Sequence, residues 1–143
     1  MSRHEDIRAG DAITLLASAD PFEVTIIQCL RAAHRAATDG APPPPCRLGR
    51  DFAELHDIIV AHALAPIDIR ALGAPAVSPD EACLARTLRA ATDGEREEAL
   101  MAAFALLRPD IAFLMVPLAQ ELGLNLRRAA LSRGHGSGAV RLH

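Results

Sequence analysis

The chain has 143 residues, half of them apolar, and four Phe are its only aromatic side chains, so one domain with a core of Ala, Leu, Ile and Val is expected. A formal charge of −3 is too small to select a nucleic acid or an acidic surface as partner. Three cysteines, Cys29, Cys46 and Cys83, cannot all pair, which suits a reducing cytoplasm.

Runs of β-branched residues at period two are missing, and Ala and Leu dominate. The expected class is therefore all-α, a compact bundle of about five to seven helices. Ser2 and Glu5 have the spacing of a capping box for a short first turn, and Asp11 is expected to cap a short segment, Ala12–Ser18. Asp20-Pro21-Phe22-Glu23 is a stronger start: an acceptor for orphan amides, a ring preset for the first helical position, and an acid at the positive end of the dipole. That helix is expected to run to about Thr38, with Phe22, Ile26, Leu30, Ala33 and Ala37 on its core stripe and Gly40 closing it.

Residues 41–46 read Ala-Pro-Pro-Pro-Pro-Cys and must form a stiff loop. The next expected helix spans Arg50–Leu64, with Phe52, Leu55, Ile59 and Ala63 inward and Ala65-Pro66 stopping it. Ile67–Leu72 is read as one short helical turn. Ser78-Pro79-Asp80-Glu81 has capping-box spacing and opens a helix to Thr92. Glu95 begins another to Leu107, and Pro109 a third to Leu122, where Gly123 ends it and Pro117 kinks it. Asn125–Ser132 forms a last short helix. Residues 1–133 then make one helical domain, and 134–143 a flexible, Gly-rich basic tail. Residues 126–143 hold Arg127, Arg128, Arg133 and Arg141 and no acid, so the acidic excess falls on the body.

One pattern recurs. Cys29-Leu30, then Arg35-Ala36-Ala37-Thr38-Asp39-Gly40, returns as Cys83-Leu84, then Arg89-Ala90-Ala91-Thr92-Asp93-Gly94, across the same gap. Duplication of a helical hairpin and shared helix-ending punctuation both account for it. Either way, Gly40 and Gly94 are expected in equivalent caps.

Candidate chemistry is sparse. His34, His56, His62 and Cys29 lie on the first hairpin, and antiparallel pairing around the proline loop sets His34 level with His56 and Cys29 level with His62. His56 and His62 fall on different faces of one helix, and no CxxC, HxxxH or ExxH spacing presents several ligands together. They read as ordinary helix histidines, so neither a metal nor a cofactor is expected. No nucleophile elbow, Walker loop or dinucleotide fingerprint appears.

Asp110, Ala119, Leu122, Gly123, Leu124, Asn125 and Leu126 resemble the last core helix of all-α nucleotide pyrophosphohydrolases of the MazG type, over about residues 107–131. The resemblance implies an all-α fold and Mg²⁺-assisted diphosphate hydrolysis by paired ExxE and ExxD acids. Here Leu107 takes the first ExxD position, and Glu95 and Glu98 form an ExxE only at a helix start, so a degenerate member is implied. Residues 118–132 also resemble a helix-turn-helix, with Arg127, Arg128 and Arg133 as candidate nucleic-acid contacts.

The reading this sequence supports best is a small cytoplasmic protein-interaction or regulatory module without a catalytic site. Its polar first residues and the interrupted apolar stretch 99–126 argue against a leader or a membrane span. The apolar excess of that stretch marks Phe104, Phe113, Leu114, Met115 and Leu118 as candidate interface residues, for another protein or for a second copy of the chain.

Overall fold

The computed structural model describes residues 14–42 and 44–142, with side chains from Leu15 to Arg133. Among these residues the class is all-α, with five helices packed against one another. In chain order they are α1 (Pro21–Asp39), α2 (Arg47–His62), α3 (Pro79–Thr92), α4 (Arg96–Phe104) and α5 (Pro109–Leu142). A two-residue antiparallel pair, β1 (Thr14–Leu15) with β2 (Ala76–Val77), fastens the start of the described chain to the loop before α3.

The helix starts follow local chemistry. The Asp20 carboxylate accepts the amides of Phe22 and Glu23 at 3.0 and 3.2 Å. Ser78 Oγ accepts the Glu81 amide at 3.0 Å while the Glu81 carboxylate accepts the Ser78 amide at 2.9 Å, completing the capping box. Helix α2 begins at Arg47 rather than Arg50, because the Cys46 sulfur accepts the Gly49 amide at 3.3 Å and serves as the cap.

Gly40 and Gly94 both adopt positive φ, 71° and 80°, the left-handed conformation that glycine reaches without a Cβ penalty. Their hydrogen bonds match. Gly40 N–H donates to Ala37 O and Ala41 N–H to Ala36 O; Gly94 N–H donates to Ala91 O and Glu95 N–H to Ala90 O. Both ends are Schellman motifs, so the equivalence expected from the recurring pattern holds at the level of the caps.

Other expectations need correction. Residues 67–72 form no helical turn, because longer-range partners claim their backbone. The Asp68 amide donates to Asp80 at 2.7 Å, the Arg70 amide donates to Glu81 at 2.9 Å, and the Asp68 carbonyl accepts from Ser78 Oγ at 2.5 Å. In the expected segment Ala12–Ser18, Thr14–Leu15 is strand and Leu16–Ser18 a single 3-10 turn; its first residues and the Ser2–Glu5 box lie outside the described residues. Helix α4 stops at Phe104, and Leu107 pairs with Ala63 in an isolated antiparallel bridge. Most consequentially, α5 is one helix through Gly123, with no break at residues 123–125.

Helix α3 is the centre of the bundle, packed on α1, α4 and α5, while α2 closes the ring between α1 and α5. Its Leu84 and Leu88 meet a core that includes Ile26, Leu30, Phe52, Leu55, Ile59, Leu107 and Met115, all essentially buried. Each such side chain contributes about 1.5–3 kcal/mol by leaving water. Buried alanines (Ala85, Ala90, Ala91, Ala103, Ala112, Ala119) line the helix contacts and let the axes come close.

Ser78→Ala is expected to lower the unfolding free energy by about 1–2 kcal/mol, the usual worth of an N-cap. It removes both the acceptor for the Glu81 amide and the donor to Asp68 O. Urea denaturation with an unchanged m-value measures it.

Candidate interaction surface

The five apolar candidates divide sharply. Phe113 and Leu114 are 50 % and 59 % exposed, whereas Met115 is 0 % exposed. Each residue advances about 100° around a helix, so Met115 lies about 200° from Phe113, on the opposite side of α5. Met115 is therefore a core residue and leaves the interface set. Leu118 is half-buried and lines a cleft of about 220 Å³ between α2 and α5, with Leu55 and Leu122 beside it. Phe104 is half-buried and packs edge-on against Phe113, ring centroids 5.9 Å apart.

Met101, which sequence reasoning overlooked, is the most exposed of this group at 69 %. It precedes Phe104 by one turn on the outer side of α4, while Ala99, Leu100, Ala102 and Ala103 face inward. The signal was the i, i+3 spacing of Met101 and Phe104. Along α5 the exposed face continues through Pro117, Gln120, Leu124 and Leu131.

Two of the three arginine candidates are engaged within the chain. Arg127 donates to Asp93 at 3.0 Å, and its guanidinium lies 4.5 Å from the Phe22 ring centroid. It thus ties α5 to the end of α3 and the start of α1. Arg128 donates to Asn125 Oδ1 at 2.7 Å, and Arg133 is exposed. Residues 118–132 form continuous helix, so the turn that would aim a recognition helix is missing.

The acids do not assemble either. Asp110 is exposed in the first turn of α5, 3.3 Å from Arg108, and accepts the Ile111 amide. Glu95 and Glu98 are exposed at the start of α4. Asp51, Glu54 and Glu121 do border the α2–α5 cleft. There Arg47 stands 3.7 Å from Asp51 and 3.4 Å from Glu121, where a cation would otherwise go. Among the described residues, no three His, Cys, Asp or Glu side chains converge on a point that could hold a metal ion.

Two histidines do meet. His34 Nδ1 on α1 lies 3.0 Å from His56 Nε2 on α2, as antiparallel pairing predicts. His62 is exposed at the end of α2. Burial, and then the neighbouring His56, hold the His34 imidazole below its usual pKa. Burial pushes the Cys29 and Cys83 thiols up, which makes both poor nucleophiles at neutral pH. Cys83 donates to Ala102 O at 3.1 Å.

The strongest polar feature was not anticipated as a pair. Arg31 and Glu81 are both fully buried, and Arg31 Nε and Nη2 donate to the two Glu81 oxygens at 2.7 and 2.9 Å. Arg31 also donates to the carbonyls of Ala74 and Ala76, and Glu81 accepts the amides of Ser78 and Arg70. The pair organises the loop between α2 and α3.

Comparison with protein-family models, with curated proteins and with solved structures finds no match to this chain.

Proposed function

We propose that this chain is a helical interaction module whose partner is a second copy of itself, paired through the outer face of α4 and α5. The observation that carries this reading is the run of exposed apolar side chains Met101, Phe113, Leu114 and Leu124, continuous with the Phe104–Phe113 contact. Large apolar side chains grouped on one face favour a covered site.

The spacing favours a helical partner. Phe113, Pro117, Gln120 and Leu124 alternate steps of four and three, the seam of a coiled-coil contact. The charges favour an antiparallel copy. Asp110 opens α5, whereas Arg128 lies on the same side about five turns later, so reversing one helix against the other sets opposite charges and opposite dipole ends side by side.

Sedimentation equilibrium and light scattering test this. A dimer is expected for the native chain. Phe113→Asp is expected to raise its dissociation constant at least about tenfold, since a central aromatic anchor is worth about 2 kcal/mol or more. Helix content by circular dichroism should not change, because Phe113 is half-exposed. A chain that stays monomeric at every concentration reached, or a dimer indifferent to Phe113→Asp and Met101→Asp alike, overturns the proposal.

A further inference from the structure

The His34–His56 contact has more order than two neighbouring rings require. His56 Nδ1 lies 3.3 Å from Asp57 Oδ1. A carboxylate only accepts, so Nδ1 carries the proton and Nε2 of the neutral ring keeps its lone pair. That lone pair points to His34 Nδ1 at 3.0 Å, with the ring planes inclined at 60°. His56 is buried and His34 half-buried, so His56 is held in place while His34 opens toward solvent. A carboxylate behind an imidazole is the arrangement that fixes the tautomer and ring orientation of metal-ligating histidines.

We infer that His34 Nδ1 and His56 Nε2 form a two-imidazole site for a divalent ion of the late first-row transition series, clamping α1 to α2. Two nitrogens at about 2.0–2.1 Å from one ion, subtending about 90–110°, stand about 2.9–3.4 Å apart. The observed 3.0 Å falls inside that range. His34 must shift its proton from Nδ1 to Nε2, through water, and turn its ring so that Nδ1 leaves the axis of the His56 lone pair and both lone pairs meet at the ion, which its half-buried position permits. Water fills the remaining positions on the open side. Imidazole nitrogens select nickel, copper and zinc over magnesium and calcium.

Among the described residues the site has only these two protein ligands, so it is expected to be a stabilising site with exchangeable ion. It needs no contribution from the α4–α5 face and stands or falls separately from it.

The test uses Ni²⁺ on the full chain carrying His4→Asn, His62→Asn, His135→Asn and His143→Asn, which removes every other imidazole. Calorimetric titration at neutral pH is expected to show one ion per chain, with a rise in melting temperature at saturation. Adding His34→Asn is expected to weaken binding at least tenfold and abolish the rise. Since His34 is half-buried, that variant keeps its fold, which circular dichroism checks. With diamagnetic Zn²⁺ in place of Ni²⁺, imidazole ¹⁵N shifts should move at His34 Nδ1 and His56 Nε2. No binding by the four-histidine-depleted chain, binding that survives His34→Asn, or shifts confined to the other ring nitrogens would each overturn the inference. Replacing Ni²⁺ by Mg²⁺ should give no heat and no shift; an equal response to Mg²⁺ overturns the ion class.

Discussion

Gly123→Ala is expected to destabilise the fold by about 2–3 kcal/mol, the cost of forcing one extra carbon into a packed helix contact. By helix propensity alone the change should help, since Ala is better than Gly by nearly 1 kcal/mol inside a helix. Packing reverses the sign. A Cβ built on Gly123 would stand 1.7 Å from Thr92 Oγ1 and 3.0 Å from Thr92 Cβ. Thr92 cannot easily yield, because it is buried near the end of α3 and its hydroxyl donates to Leu88 O at 2.6 Å. The alternative is for α5 to retreat from α3, which would loosen the packing of Ala119, Leu122 and Leu126, all buried around the same contact.

A double substitution makes the mechanism testable. Thr92→Ala removes the hydroxyl and methyl that a new Cβ would strike and leaves only the 3.0 Å approach of the two β-carbons. Gly123→Ala combined with Thr92→Ala is therefore expected to be more stable than Gly123→Ala alone, a coupling of about 1 kcal/mol or more between touching residues. Urea denaturation of the four proteins closes the cycle. Strict additivity would show that Gly123 matters for some reason other than its contact with Thr92.

Gly123 also shows where sequence reasoning stops. A glycine that follows the apolar run ending at Leu122 has the pattern of a helix end, and nothing local distinguishes it from a glycine that admits a neighbouring helix. The helix starts at Asp20 and Ser78 and the caps at Gly40 and Gly94 were legible because their partners lie within a few residues. The His34–His56 meeting was legible too, since an antiparallel hairpin around the proline loop fixes which positions face each other. Arg31 was not. It sits beside the apolar stripe of α1 with the outward look of a solvated cation, and its partner Glu81 already had a sufficient local role as a capping residue. The outer face was half legible. Apolar excess over residues 99–126 located it, but assigning Phe113 and Leu114 outward and Met115 inward requires the angular position of α5 against α3, which the periodicity of so uniformly apolar a segment does not fix.

Breaking the Arg31–Glu81 pair is expected to have the largest effect of any polar substitution. Arg31→Met leaves a buried carboxylate with only the amides of Ser78 and Arg70, and Glu81→Gln sets an amide donor against donors already present. Either is expected to cost about 3–5 kcal/mol, as for other buried charges deprived of a partner. Replacing both members of a buried ion pair by apolar residues is often neutral or stabilising. Here it should not be. Arg31→Met with Glu81→Leu would leave the carbonyls of Ala74 and Ala76 and the amides of Ser78 and Arg70 without partners, at about 1–3 kcal/mol for each that water fails to reach. The double variant is thus expected to stay about 2 kcal/mol or more below the native chain in urea denaturation. Recovery to native stability would mean that the loop between α2 and α3 does not depend on the pair. The same arrangement sets an acid dependence. Burial alone would raise the Glu81 pKa, but the hydrogen bonds from Arg31, Ser78 and Arg70 more than offset it, and the net shift is downward from 4.5. A carboxyl with a lowered folded pKa stabilises fully above its unfolded value and loses that contribution as pH falls through the folded one. Native stability should therefore decline below about pH 4.5 partly through this group, and the decline should be shallower in Glu81→Gln, whose side chain cannot take up the proton. Equal acid slopes in the two proteins would place the acid sensitivity elsewhere in the chain.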